Sequence, residues 1–414
     1  PAVGGGVDLT PIVNLSFIDN LKVRANYGLT GNQPSGSYLS LLRFGPQGNS
    51  YYNGKFIPTY YPVSNSNEDL RREKKGEFDT GFDFSIFKSS LSGSFDFYTS
   101  TAKDLLFNYY IPVPSNLYVG TLINIGEIKS SGVEFSLNYN VIKKSDFNYN
   151  ISFTWTHNLK NTLVSLSGIY NGTSLMYGNN VSGPGYREIG MLFSPGSSGL
   201  PIIRSEEGKP IGQLVAYKFK EIDKSGNLIL EDINADRTIN SRDRTVVGNG
   251  LPEYLMGFGN EFTYKNWDLN IFFRGVFGHD LINIYRTLFE VPYAVSYYNV
   301  PETTAEMRNP STGTLWNNSS GILTDSDIEN ASFISLDNLC LGYNFRLPER
   351  SPFSKIRIYL GGNNLFYITG YKGSDPNPRY ADGEQNNNPL IPGVDRRNTW
   401  PRTRSVTFGV NVLF

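Results

Sequence analysis

The feature that most constrains this chain is an alternation of apolar and polar side chains that recurs from one end to the other. Phe147–Trp155 reads FNYNISFTW, with Phe147, Tyr149, Ile151, Phe153 and Trp155 on one face and Asn148, Asn150, Ser152 and Thr154 on the other. Period two is the spacing of a β-strand with one apolar and one polar side. The same pattern runs through Phe78–Ile86, Ser94–Tyr98, Val133–Val141 and Ser405–Phe414. It also runs through Trp267–Arg274, where Phe272 interrupts the polar face. About ten such strands are predicted, starting near Leu21, Glu77, Leu91, Ser131, Phe147, Glu253, Trp267, Phe333, Lys355 and Arg402.

A soluble β-sandwich also alternates. Two features point instead to a transmembrane barrel. The apolar faces carry large aromatics, and many strands have the ~9–11 residues needed to cross a bilayer at a tilt. The connections also come in two kinds that alternate along the chain. Short turns are predicted at Lys88–Ser90, Lys143–Asp146, Lys265–Asn266 and Pro348–Lys355, and long segments at Leu29–Gly76, Ser100–Ser130, Asn158–Glu253, Gly278–Ala331 and Tyr367–Pro401. Up-and-down pairing then puts every short turn at one end and every long loop at the other, as in outer-membrane barrels. The expected fold is all-β: an antiparallel transmembrane β-barrel. About ten strands could close a small barrel, but loops this long favour part of a larger one. Residues 1–20 are expected to lead into it and residues 21–414 to form it. Gln213–Ile222 alternates too, but inside the longest loop.

Composition agrees with this reading. Mean hydropathy is −0.32, and no apolar run approaches the ~20 residues of a membrane helix. That excludes a helical membrane protein and leaves a barrel open. With 37 Lys+Arg against 38 Asp+Glu, the chain lacks the basic surplus of a nucleic-acid binder. The single cysteine, Cys340, rules out an internal disulfide framework and a Cys-based zinc site. The chain opens at Pro1 without an initiator Met or a signal peptide, the expectation for a processed or partial chain.

The C-terminus carries the most specific motif. Thr407, Gly409, Val412 and Phe414 fit polar-x-Gly-x-x-apolar-x-aromatic, with the chain ending on the aromatic residue. This resembles the signal by which bacterial outer-membrane barrels engage their insertion machinery.

Five stretches, in order over nearly the whole chain, resemble one family. They are Leu21–Gln33 (LKVRANYGLTGNQ), Asn124–Tyr139 (NIGEIKSSGVEFSLNY), Thr245–Lys265 (TVVGNGLPEYLMGFGNEFTYK), Asn363–Pro376 (NNLFYITGYKGSDP) and Pro392–Phe414 (PGVDRRNTWPRTRSVTFGVNVLF). They are similar to the SusC/RagA family of TonB-linked outer-membrane transporters of Bacteroidota. The resemblance implies a barrel of roughly 22 strands of which this chain is the C-terminal part, an N-terminal plug and a TonB box that this chain does not contain, and energy from TonB–ExbB–ExbD. It also implies a SusD-like surface lipoprotein closing the barrel mouth. On this reading Asn158–Glu253 and Gly278–Ala331 reach the cell surface and contact the lipoprotein, with a tip near Pro195–Gly199.

One loop suggests chemistry beyond the barrel. Asp232, Asn234, Asp236, Asn240 and Asp243 stand at positions 1, 3, 5, 9 and 12 of a twelve-residue stretch, with Ile239 at position 8. That is the spacing of a calcium loop, in which oxygen ligands and the Thr238 carbonyl wrap one hard cation. Arg237 stands where the sharp turn wants Gly, and Asp243 replaces the usual Glu. The alternative is a polar turn whose Asp and Asn side chains cap their own backbone. A structural calcium is thus the one cofactor to look for; none is required by the barrel.

Other candidates have plainer readings. His157 and His279 have no ligand-spaced partner. Glu206-Glu207 and Arg71-Arg72-Glu73-Lys74-Lys75 read as solvated loops. Tyr51-Tyr52, Tyr60-Tyr61, Tyr109-Tyr110 and Tyr297-Tyr298 could line a substrate chamber or simply pack loops. Cys340 falls on the lumen-facing parity of its strand. Three function classes follow: import of a nutrient oligomer, glycan or peptide; an adhesion or scaffold barrel presenting loops to partner proteins; and a β-rich hydrolase. The last lacks a nucleophile elbow or a paired-acid signature, so no enzyme is expected.

Overall fold

The computed structural model describes every residue except 33–35, 111–115, 171–172, 177–185, 192–200, 317–321, 379–391 and 396–399. The Pro195–Gly199 tip lies outside the described residues. Among the described residues no helix is long and apolar enough to cross a membrane.

The dominant element is a 13-stranded antiparallel sheet. Eleven strands pair in sequence order to make its wall: β1 (Ala2–Asp8), β2 (Ile18–Asn32), β3 (Glu73–Ile86), β4 (Leu91–Lys103), β5 (Gly120–Lys143), β6 (Phe147–Tyr170), β7 (Tyr254–Tyr264), β8 (Trp267–Phe277), β9 (Phe333–Asn344), β10 (Lys355–Thr369) and β11 (Ser405–Leu413). Every neighbour along this path is also next in the wall, so the topology is up-and-down. The connections alternate short and long as predicted, which places all five long segments at one end.

The wall departs from the sequence reading in two places. Ala2–Asp8 adds a strand ahead of the first expected one, paired to β2 from Ala2↔Gly28 to Asp8↔Lys22. Its run of three glycines carries no alternation to read. Strands β5 and β6 run 24 residues each, more than twice the bilayer-crossing length. Their outer halves lose the apolar–polar rhythm because Ile123, Ile125, Leu163 and Leu166 there are buried by protein rather than by lipid.

Ladder pairing puts opposite residues on the same face. One row therefore runs Val23, Phe82, Phe95, Phe135, Trp155, Met256 and Gly275 across seven strands. Phe82, Phe84, Phe135, Leu137, Ile151, Phe153, Leu269 and Ile271 share this apolar face. Asp83, Glu134, Ser136, Asn150, Ser152 and Asn270 occupy the other. Asn260, opposite Ile151 and Ile271, also lies on the apolar face, and its Oδ1 accepts the Tyr149 hydroxyl at 2.8 Å.

Aromatic clusters mark both ends of the apolar band. At the short-turn end Trp267 packs on Tyr343 at 4.8 Å, and Tyr343 on Phe345 at 5.0 Å. At the long-loop end Tyr254 stacks on His157 at 4.4 Å and on Trp155 at 6.3 Å. Tyr254 and Tyr264 terminate the same strand. Ten residues at ~3.3 Å each, tilted by ~40°, span ~25 Å of height. That is the apolar height of an outer-membrane barrel, with amphipathic rings at both interfaces.

The long segments fold into small sheets of their own. Tyr186–Met191, Pro201–Glu206, Gln213–Ala216 and Thr245–Asn249 form a four-stranded sheet, and Ile328–Asn330, Asp280–Asn283 and Val394–Asp395 a three-stranded one. Within the first, Leu214, Val215 and Ala216 are fully buried. The Gln213–Ile222 alternation thus divides between Gln213–Ala216, an interior strand of this sheet, and Phe219–Ile222, which pairs with Leu228–Leu230 in a two-stranded sheet.

Candidate functional site: the polar face and the outer layer

The polar face is organised around ion pairs. Arg24 on β2 reaches Asp79 (3.1 Å), Asp83 (3.2 Å) and Asp96 (2.6 Å) across β3 and β4. Gly81 lies between them, and a Cβ there would stand 2.0 Å from Asp96 Oδ1. On β8 and β10, Arg357 donates to Asp268 at 2.5 Å, and the second Asp268 oxygen accepts Asn344 Nδ2 at 2.8 Å. Nearer the long loops Arg274 pairs with Asp337 at 2.5 Å. Between these groups the β6 stretch offers only Asn148, Asn150, Ser152 and Thr154. The face is therefore hydrophilic, with five carboxylates against three guanidinium groups in these clusters, which suits a water-filled passage.

Aromatic rings on this face lie over glycines. Phe272, the interruption noted in the sequence, covers Gly257, with 3.2 Å from its Cζ to where a Cβ would stand. Tyr359 covers Gly409, where a Cβ would come within 2.3 Å of the ring. Rings seated on sheet glycines stabilise the pairing of twisted strands. Gly409 of the terminal motif thus has a packing role. Thr407 shares its face, Val412 lies on the apolar face opposite Ile356, and Phe414 packs on Phe353 at 5.3 Å.

Above the wall, three long segments share one hydrophobic core. Ile202, Ile203, Leu214 and Ala216 come from the β6–β7 connection, Ile282, Ile284, Leu288 and Leu323 from β8–β9, and Val394 from β10–β11. A second core joins Ile222 to Val291 and Trp316. Buried polar groups brace these segments from within. Asp395, fully buried, accepts the Tyr371 hydroxyl at 2.8 Å and Ser374 N at 3.1 Å. Arg286 binds Glu290 at 2.7 Å and Glu329 at 3.2 Å. Beside them burial pushes the Asp327 carboxyl up to about 6, although hydrogen bonds from Thr324 and the charge of Arg286 oppose it. His279 is buried, with Nε2 3.1 Å from the Pro376 carbonyl, and burial lowers its pKa.

The candidate calcium loop folds around its own backbone. Asp232 accepts Arg237 N at 2.6 Å, Asn234 accepts Asp236 N at 2.9 Å, and Asp236 accepts Thr238 N at 2.8 Å. Asp243, fully buried, accepts Ile233 N at 3.0 Å and Asn240 N at 2.8 Å. Those bonds, led by the one from Asn240, hold its carboxyl below the usual range. Ala235 and Arg237 take left-handed φ of 58° and 66°, and Arg237 does so without the glycine such a turn favours. Among the described residues no three His, Cys, Asp or Glu side chains gather to hold a metal.

The tyrosine pairs separate. Tyr51, Tyr52 and Tyr60 are exposed on the hairpin of Arg43–Tyr52 and Lys55–Ser64. Tyr109 packs against the buried Ile123–Leu166 cluster, and Tyr298 against Phe289. Cys340 is half-buried on the polar face, its Sγ 3.7 Å from Arg357. Glu207 accepts Leu166 N at 2.7 Å. Lys74 and Lys75 belong to β3 rather than to a preceding loop. The shared core was the feature that sequence reading missed, because its members lie on three connections far apart in the chain.

Known proteins match this architecture. A family profile described as TonB dependent receptor-like, beta-barrel covers residues 3–365. TonB-dependent receptor P3 of Formosa agariphila is 30% identical over 96% of this chain and 40% of its own length. TonB-dependent receptor SusC of Bacteroides thetaiotaomicron is 28% identical over 97% of this chain and 38% of its own. The solved structure of the RagAB peptide importer in its closed-closed state superposes with a TM-score of 0.79 at 22% identity, over 99% of this chain and 43% of that one. The chain therefore spans about two-fifths of the length of the proteins it matches.

Proposed function

Because this chain belongs to the TonB dependent receptor-like β-barrel family, we propose that it forms the wall and outer layer of an importer for a nutrient oligomer, glycan or peptide. It lies in the bacterial outer membrane, as its barrel relatives do. The observation that carries the proposal is the pairing of a hydrophilic face laced with ion pairs with a folded outer layer whose three connections share one core. A wall alone passes small solutes, whereas an ordered layer above it can hold a large one. The SusC relative and the fold shared with RagAB support a lid lipoprotein of the SusD type seated on the outer layer. Energy from TonB–ExbB–ExbD would enter through parts of the relatives' length that this chain does not span. The terminal Thr407, Gly409, Val412 and Phe414 would serve barrel insertion.

The test uses the full-length protein in its own cells. Deleting its gene should abolish growth on one class of oligomer while growth on the monomer continues. The protein purified from membranes should carry a lipid-anchored partner. Unchanged growth on all glycans and peptides would favour a scaffold barrel instead.

A further inference from the structure

The apolar face of the wall does not end abruptly at the long loops. It passes through a graded boundary on β3–β6. The row Thr80, Phe97, Val133, His157 is followed by Phe78, Thr99, Ser131, Lys160, and that by Gly76, Thr101, Lys129, Thr162. The next row pairs Lys74 with Lys103 and Lys103 with Glu127. Hydrocarbon-facing aromatics thus give way to hydroxyls and then to cations within three rows, all on the face that meets lipid. Arg72 joins at the same level: its side chain crosses Gly31, the ladder partner of Lys74, with Cδ 3.1 Å from where a Cβ would stand.

Five cations therefore meet on neighbouring strands, and Lys74 directly opposes Lys103. Like charges facing each other across a ladder destabilise the pair. Among the described residues two carboxylates contact them. Glu127 is 3.3 Å from Lys103 and 3.9 Å from Lys129, and Asp104 is 3.9 Å from Lys74 but is also bound by Arg71 at 3.2 Å. Lys74, Lys103 and Lys129 keep 59%, 59% and 53% of their side chains exposed despite these contacts. The patch has an unmet positive charge at headgroup depth, continuous with the lipid-facing surface.

We infer that this belt binds the phosphate groups of the glycolipid in the outer leaflet. Clustered Lys and Arg at the membrane surface attract anionic headgroups, and a phosphate set between Lys74, Lys103 and Lys129 would relieve their repulsion. The inference rests on the membrane-spanning reading but not on import, on the lid or on any transported solute.

The experiment compares the full-length protein in detergent with a variant carrying Lys74→Gln, Lys103→Gln, Lys129→Gln and Lys160→Gln. All four side chains are exposed, so glutamine leaves the fold intact. Each is titrated with bisphosphorylated lipid A and with dephosphorylated lipid A, and bound lipid is counted by native mass spectrometry. The parent should bind the phosphorylated form at least about tenfold more tightly than the variant does. The dephosphorylated form should bind both proteins equally weakly, and millimolar inorganic phosphate should not displace the lipid. Variant affinity for the phosphorylated lipid within twofold of the parent, dephosphorylated lipid binding the parent as tightly as the phosphorylated form, or displacement by free phosphate would each overturn the assignment. Oligomer uptake and partner recovery should be unaltered in the variant, so failure here is distinguishable from failure of the import reading.

Discussion

The wall and the layer above it spend the same apolar residue types in opposite ways. In the wall, Phe82, Phe258 and Leu341 remain 39%, 38% and 39% exposed, because nothing in the chain covers them. In the outer layer, Ile203, Leu214 and Ile282 are fully buried. The wall's backbone polar groups are satisfied by neighbouring strands, which lets it stand in hydrocarbon. Its stability depends on lipid as solvent. The outer layer stands in water and must bury its own apolar surface, as a soluble domain does. One chain thus contains two folding problems, and a change that harms one region should spare the other.

The outer core offers the largest contrast. Leu214→Ala removes a fully buried side chain at the centre of the shared core and should cost about 2–5 kcal/mol. Limited proteolysis should then cut within 201–250 while the wall keeps its resistance to unfolding by heat in detergent. Equal loss in both regions would merge them into one cooperative unit.

A pH difference should follow. Asp327 titrates near 6 when folded, above its ordinary value of 3.8. Folding therefore favours its protonated form. Its contribution is fullest below pH 3.8 and is lost as pH rises through 6. The outer layer should resist proteolysis better at pH 5 than at pH 7, and Asp327→Asn should flatten that difference, since the amide oxygen can still accept from Thr324. A wall whose melting shifts equally over this range would locate the titration elsewhere.

The smallest effect belongs to the 232–243 loop. Its own hydrogen bonds already engage Asp232, Asn234, Asp236 and Asp243. Calorimetry in millimolar calcium should therefore report weak binding, abolished by Asp236→Ala. No heat, or the same heat from the variant, leaves the loop as a polar turn.

How much of each region could be read from sequence follows from the same contrast. The wall was legible because lipid on one side and water on the other write period two into most of its strands, as in Phe147–Trp155, though not into the glycine run of Ala2–Asp8. Where both sides meet protein, as at Ile123–Ile125 and Leu163, the rhythm vanishes, so β5 begins earlier and β6 runs on further than the alternation alone indicates. Phe272 interrupts the polar rhythm because its ring is seated over Gly257 and Gly259 on the neighbouring strand. The outer core was not legible at all: Ile203, Ile282 and Val394 are brought together only by tertiary folding, and each reads locally as part of a polar loop. The Asn240–Asp243 capping box is a local signal, and its spacing was visible, but whether oxygen atoms turn to backbone or to a cation is a matter of geometry.

The central claim, that the apolar face of the wall meets lipid and the opposite face meets water, is tested most directly by one adjacent pair on β6. Phe153 lies opposite Leu137 and Phe258 on the apolar face, and Ser152 opposite Asn138 and Gly259 on the other. Arginine at mid-bilayer on a lipid-facing position costs about 2–4 kcal/mol, and little on a lumen-facing one. Measured as folded protein recovered in outer membranes and as resistance to unfolding in lipid vesicles, Phe153→Arg should lose most of the assembled barrel while Ser152→Arg assembles nearly as the parent does. Equal recovery of the two, or the greater loss from Ser152→Arg, would contradict the account.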